Sequence, residues 1–260
     1  MTNAEILQIA AQQSAIDMCC EAADFFGDRN VVTVSREQPG ARRYLKLPFL
    51  CNVVYYGRCV VASAGADIMQ PVQEYIDRYT PEHLFETPNL HVLNDFFEKK
   101  GGRVCFMAEY FLPDADALRP LSCPYEMRLM GPEDFRDLYC PAWSNALCEK
   151  RKELDVLGMG AYDETGRLLG LAACSADCET MWQIGIDVLP EARRKGVASA
   201  LTAGLALEIL KRDKVPFYCA AWSNIPSARN AIRAGFRPAW VELTVKSREF
   251  TDEMNQVDAT

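Results

Sequence analysis

Met181 to Leu210 reads MWQIGIDVLPEARRKGVASALTAGLALEIL, and this stretch decides the fold. Its first part, MWQIGIDVL, is apolar and carries aromatic and β-branched side chains, which predicts a strand. Pro190 breaks the run, because proline cannot donate to a strand ladder. A short basic loop follows, Arg193, Arg194, Lys195 and Gly196, and a long helix of small residues opens near Ala198. A strand that passes through a glycine-bearing turn into a helix N-terminus is a device for holding an anion. The first N–H groups of the helix have no intrahelical partner, and the helix dipole adds partial positive charge there. Glycine lets the backbone come close to the bound group. Three consecutive cations sharpen the preference for phosphate.

The body around this loop is acidic. The chain has 260 residues and a net charge of −8, and 49% of it is hydrophobic. That length holds one large domain or two of ordinary size with a full core. The charge argues against nucleic acid as a partner, since phosphate neutralisation needs a basic face. The basic triplet is thus a local site for one small polyanion. No apolar run approaches the ~20 residues that a membrane span needs. The first residues, MTNAEILQIAAQQSAID, lack the basic n-region and apolar core of a signal peptide. Eleven cysteines without a Cys-x-x-Cys pair suggest neither a zinc frame nor a disulfide scaffold. Cys51, Cys59, Cys105, Cys174 and Cys219 fall in apolar runs and read as small buried hydrophobes. No metal site and a cytoplasmic, reducing location are the expectations.

Working outward, residues 4–26 read as a helix capped by Asn3, 31–35 as a strand, and the apolar run interrupted by Gly57-Arg58 as a hairpin. Helices are expected over 69–79 and 88–100, then a strand after Gly101-Gly102. His83 and His91, the two histidines of the chain, read as loop or helix residues bonded to neighbours, and Arg42, Arg43 and Lys46 as solvated surface charge. The proline-rich segment Pro113–Pro124 reads as a connector. It places a boundary near residue 122, between domains 1–122 and 123–260. From Tyr125 the expected order is a strand, a helix opening with Pro132, a helix over Pro141–Arg151 and two strands joined by the Glu164–Gly166 turn. The opening stretch comes next, then a strand over 215–222, a helix over 225–234 and a last strand. The fold class is therefore α+β, a mixed central sheet flanked by helices in the C-terminal half, with a smaller α+β N-terminal domain. NLHVLNDFFEKKGGRVCF in the first half faintly echoes NIPSARNAIRAGFRPAWV in the second, which leaves a degenerate copy open as one reading of residues 1–122.

Over residues 125–247 the chain resembles the GNAT superfamily of acyl-CoA-dependent N-acyltransferases. Arg193-Arg194-Lys195-Gly196-Val197-Ala198 follows that family's Q/R-x-x-G-x-G/A pyrophosphate loop, directly after a strand. Asn224-Ile225-Pro226-Ser227, followed by Gly235-Phe236, is similar to its Asn-x-x-Ser/Ala…Gly-Phe block. Either alone is a weak signal; both in register make a strong one. The resemblance implies acetyl-CoA as co-substrate, with its pyrophosphate on the N–H groups around Arg194 to Ser199, and Val197 and Ala198 between them. It implies that the backbone of Val188 meets the pantetheine arm and the thioester carbonyl. It also implies that Asn224 and Ser227 line the other side of the cofactor, although Asn224 reads equally well as a helix cap. The expected reaction is direct attack of a primary amine, of a small molecule, on the thioester. The family often supplies a proton from a tyrosine seven residues after the asparagine; here that position is Ala231. Asp187 is the nearest carboxylate on the strand and the candidate catalytic residue, with Tyr218 and Cys219 as further candidates. A non-catalytic acyl-CoA-binding or sensing module, and acetylation of a protein amine, stay open as alternatives. The first domain is expected to shape the acceptor pocket, and a homodimer stays open.

Overall fold

The elements follow the chain as α1 (Asn3–Met18), β1 (Val31–Val34), β2 (Cys51–Tyr55), β3 (Val60–Ala64), α2 (Met69–Arg78), α3 (Pro81–Leu84), α4 (Thr87–Glu98) and β4 (Gly102–Pro113). Then come β5 (Glu126–Met130), β6 (Asp155–Tyr162), β7 (Leu168–Ser175), β8 (Met181–Val188), α5 (Val197–Leu210), β9 (Val215–Ala221), α6 (Ile225–Arg233), β10 (Phe236–Ser247) and α7 (Arg248–Val257). They are seen in a computed structural model that describes residues 1–257. The chain divides into two compact units. The C-terminal unit gathers Met1–Ala10 and Tyr110–Pro238, and the N-terminal unit gathers Ala11–Glu109 and the chain from Ala239. Each is α+β, a mixed sheet flanked by helices.

In the N-terminal unit β2 and β3 form the expected hairpin, with Gly57 at φ +93° in its turn. β1 lies parallel along the outer edge of β3, from Val31 opposite Val61 to Val34 opposite Ala64. β10 runs antiparallel to β2, from Val241 opposite Tyr55 to Val245 opposite Cys51. Both hairpin strands are buried on both faces, which explains why their sequences are apolar apart from Asn52 and Ser63. Ile76, Leu84, Leu93 and Phe97 from the helices fill the core above them. Arg42 departs from its reading as surface charge. It is 3% exposed, paired with Asp17, and its guanidinium donates to Glu242 Oε1 at 3.1 Å. A buried guanidinium needs such partners, because an unpaired charge in a core is costly.

In the C-terminal unit the strand order is β9-β8-β7-β6-β5, all pairs antiparallel except β8 with β9. α5 is apolar on nearly every side, with Ala200, Leu201, Ala203, Leu205, Ala206 and Ile209 buried. Its small residues let it lie close on the sheet, and Gly204 leaves room for the methyl ends of Met127 and Met159.

Several expectations differ from this architecture. A single cut at residue 122 does not separate the units, because the connector is bonded into the C-terminal one. Asp114 N–H donates to the Gly235 carbonyl at 2.8 Å, and Asn3 Nδ2 donates to Asp114 Oδ1 at 3.1 Å. Asn3 is thus spent on residues 114–116 rather than on capping α1. The first helix stops at Met18, where Cys19 turns to φ +56°, and a 3-10 turn over Ala22–Phe26 follows. The two helices expected between β5 and β6 are 3-10 turns at Pro132–Phe135, Pro141–Trp143 and Glu149–Leu154. The middle of that segment is a turn bonded to Asp187 of β8. Among the cysteines, Cys51, Cys59 and Cys174 are buried, whereas Cys105 and Cys219 are only half-buried. Among the described residues no helix is long and apolar enough to cross a membrane.

Candidate active site

β8 and β9 pair in parallel only from Met181 opposite Val215 to Ile184 opposite Tyr218. Beyond that point they diverge. The gap is a cavity of about 540 Å³ lined by Gly185 to Val188 on one side and Cys219 to Ala221 on the other, a size suited to a small-molecule ligand. On its far edge β8 stays paired with β7, Leu171 opposite Asp187, and the Leu189 N–H donates to the Leu169 carbonyl at 2.9 Å. In an antiparallel ladder alternate residues bond one neighbour. Asp187 and Leu189 therefore face β7, and the backbone groups of Ile186 and Val188 turn toward the cavity. That is an exposed strand edge inside a cleft, ready for an extended ligand carrying amides.

At the mouth of the fork the loop passes Arg194 at φ +61° and Gly196 at φ +83° before α5 begins. Open space surrounds the position of a Gly196 Cβ, so glycine is required there by backbone conformation and not by crowding. The turn leaves the first N–H groups of α5 facing outward. Arg193 lines the cavity, and its Nε donates to the Val188 carbonyl at 2.8 Å, the group expected to meet the pantetheine arm. Lys195 leans away, its Nζ 3.0 Å from the Tyr125 hydroxyl. Val197 is buried in the core, Ala198 lines the cavity, and Ser199 Oγ bonds Asn230 Oδ1 at 3.1 Å.

On the opposite wall Asn224 and Ser227 both line the cavity. Asn224 also caps α6, its side chain accepting from the Ser227 N–H at 3.2 Å. Ser227 Oγ lies 2.7 Å from the Tyr218 hydroxyl. Burial pushes the Tyr218 phenol up from its ordinary range, against the opposing effect of Ser227. Ala231 is fully buried in the core cluster that also holds Tyr218.

Asp187 lines the cavity with its carboxylate already engaged. Asn145 N–H and Ala146 N–H each donate to Oδ2 at 2.9 Å, and Asn145 Nδ2 donates to Oδ1 at 2.7 Å. Two residues earlier on β8, an ideal Cβ on Gly185 would stand 1.9 Å from the Asn145 carbonyl oxygen. Gly185 and Asp187 together clamp the segment around Asn145 against β8. Asp155 holds the next part of it, accepting from the Cys148 N–H at 2.9 Å. Burial raises the Asp155 carboxyl to about 6.

The fork thus brings together Asp187, Val188, Arg193, Ala198, Asn224 and Ser227 of the expected set. Arg194, Lys195, Gly196, Val197 and Ser199 build the loop and helix start beside it. Asn145, Gln183 and Asn230 also line the cavity and carried no sequence signal. Gln183 Nε2 lies 3.1 Å from Cys219 Sγ, and Asn230 Nδ2 donates to Thr202 Oγ1 at 3.0 Å, tying α6 to α5. His83 and His91 lie in the N-terminal unit, on α3 and α4. No group of metal-ligating side chains occurs among the described residues.

Residues 158–245 match the family model described as FR47-like protein. A comparison with curated proteins finds no match. Among solved structures, the chain is similar to a GCN5-related N-acetyltransferase from Kribbella flavida at 12% identity and TM-score 0.48, covering 60% of this chain and 63% of that one. A GCN5-related N-acetyltransferase-like protein from Streptococcus suis aligns at 18% identity and TM-score 0.45, with coverages of 63% and 69%. A GCN5-related N-acetyltransferase from Sphaerobacter thermophilus gives 18% and 0.43, with 72% of each chain covered. At such distances these are likenesses in fold. Residues 158–245, which hold β8, α5, β9 and α6, are similar to the FR47-like family.

Proposed function

We propose that the chain is an N-acetyltransferase that moves an acetyl group from acetyl-CoA to a primary amine of a small molecule. The observation that carries this reading is the fork: β8 and β9 part after Ile184 and Tyr218, and a helix N-terminus stands at the mouth with Arg193 lining the cavity. In this reading the N–H groups from Arg194 to Ser199 cradle the pyrophosphate, because they are unpaired donors at a positive helix end. The pantetheine amides bond the edge of β8 at Ile186 and Val188, and Arg193 releases the Val188 carbonyl to them. The thioester then lies deep in the fork between Val188 and the Asn224–Ser227 wall.

Asp187 and the Asn145 segment form the acceptor side. An ionised carboxylate has about four lone-pair sites, and Asp187 uses three of them on Asn145 and Ala146. The remaining site is the place for the donor of an incoming amine, and Asp187 is the candidate to accept the proton that the amine loses on attack. The N-terminal unit as a determinant of the acceptor, and a cytoplasmic site of action, belong to the same proposal.

Release of free thiol from acetyl-CoA, measured across a panel of small amines, peptide N-termini and lysine peptides, tests the reading. Thiol release with a small amine is expected. Release only with peptides moves the acceptor to a protein. Ala231, where related enzymes often carry tyrosine, favours a second reading, a module that binds acyl-CoA without turnover; acetyl-CoA binding with no thiol release would establish that one instead.

A further inference from the structure

Ala231 leaves a question of chemistry, since a departing thiolate needs a hydrogen-bond donor and finally a proton. Ser227 and Ala231 stand four residues apart on α6, so they share one face of the helix. That face meets Tyr218 of β9. Its ring lies in one core cluster with Ala231 and packs against Phe111 and Phe236, with centroids 6.3 Å from each. Phe111 contributes an edge-to-face contact. The rotamer of the phenol is thus held by three neighbours, and its hydroxyl emerges 2.7 Å from Ser227 Oγ. Both residues line the fork. Ser227 is half-buried, and Tyr218 lies behind it at 3% exposure. The Ser227 backbone is fixed in turn by the Asn224 cap.

We infer that the Tyr218–Ser227 hydroxyl pair is the proton donor to the leaving sulfur, the phenol reaching the site from the strand where the helix carries alanine. This rests on the acetyl-transfer reading above. The amine lone pair forms the C–N bond to the acetyl carbon, and the C–S bond breaks with its electron pair on sulfur. Ser227 Oγ–H gives its proton to that sulfur and takes the proton of Tyr218. The new ammonium loses its proton to Asp187 and thence to solvent, and the pair regains one from solvent, so none is consumed overall. Burial keeps the phenol protonated throughout the neutral range, as a donor must be.

The experiment compares wild type, Tyr218→Phe, Ser227→Ala and the double variant with acetyl-CoA and the best amine of the panel, following thiol release. Acetyl-CoA affinity is measured in parallel by calorimetry. Tyr218→Phe retains the ring and its packing, and Ser227→Ala provides a second test on the surface of the cleft. Each single variant is expected to lose about 100-fold in kcat, with acetyl-CoA affinity unchanged. The double variant is expected to lose no more than either single one, because the two hydroxyls act as a unit. Wild-type kcat in Tyr218→Phe overturns the inference and leaves acetyl transfer standing. So does a loss that appears only as weaker acetyl-CoA binding, or single losses that multiply in the double variant. A wild type that turns over no amine overturns acetyl transfer and this inference together.

Discussion

The two units each contain a hairpin whose second strand runs toward a helix and carries a parallel strand on its outer edge. In the N-terminal unit these are β2, β3, α2 and β1; in the C-terminal unit they are β7, β8, α5 and β9. Only one of the two arrangements makes a cavity between its parallel strands. β1 follows β3 from Val31 opposite Val61 to Val34 opposite Ala64, the last residue of β3, so that edge is closed. β9 leaves β8 at Ile184, four residues before β8 ends at Val188. The junctions differ as well. After β3 comes Gly65-Ala66-Asp67-Ile68, with an acid and no cation; after β8 comes the loop with Arg193, Arg194, Lys195 and the left-handed Gly196. The strand–helix plan alone does not make an anion site. Divergence of the parallel pair and a cationic turn must coincide.

The closed unit holds an ion cluster in its core, and the largest stability effect is expected there. Arg42→Ala removes the cation that partners both Asp17 and Glu242 and leaves two buried carboxylates without it. The expected cost is about 3–5 kcal/mol, read from chemical denaturation. A loss below about 1 kcal/mol, the scale of an exposed pair, would show that this cluster does not hold the unit together.

The open unit should respond to pH through Asp155. Burial raises its carboxyl to about 6 from an ordinary 3.8, while Cys148 N–H and the Tyr139 hydroxyl oppose the shift. The folded state therefore holds a proton that the unfolded chain has released between about pH 4 and 6. Stability falls as pH rises through that window, by about 3 kcal/mol in total, and is flat above it. Asp155→Asn should flatten the slope between pH 4 and 6 in denaturation curves. An unchanged slope would locate the titration elsewhere.

A smaller effect separates the clamp from the fork itself. Gly185→Ala places a methyl group where the Asn145 carbonyl oxygen now stands. Displacing that segment is expected to cost about 1–3 kcal/mol and to raise KM for the amine while leaving acetyl-CoA affinity intact. Lost acetyl-CoA binding in this variant would mean that the clamp supports the cofactor wall instead.

The elements that build the fork were legible in the sequence because their signals are local. The β-branched run of β8, the glycine turn and the Asn224-to-Phe236 block each declare themselves within a dozen residues, and the elements they predict are present. What escaped depends on partners far along the chain. Arg42 looked like surface charge because its carboxylates lie 25 and 200 residues away. The segment between β5 and β6 has helical composition, yet Asp187, 42 residues beyond Asn145, bonds its middle as a turn. Tyr218 was already a candidate in the sequence, but its pairing with Ser227 joins β9 to α6 and shows only in three dimensions. The divergence of β8 and β9 is a matter of register, which no single strand encodes.

The central claim is that one fork, and one only, receives the coenzyme. Isothermal titration of acetyl-CoA into the wild-type chain and into Gly196→Glu tests it most directly. The glutamate sets a side chain at φ +83° and an anion beside the pyrophosphate position. One molecule bound per wild-type chain, and none by the variant, is the predicted result. No binding by the wild type, two molecules per chain, or binding that survives Gly196→Glu would contradict it.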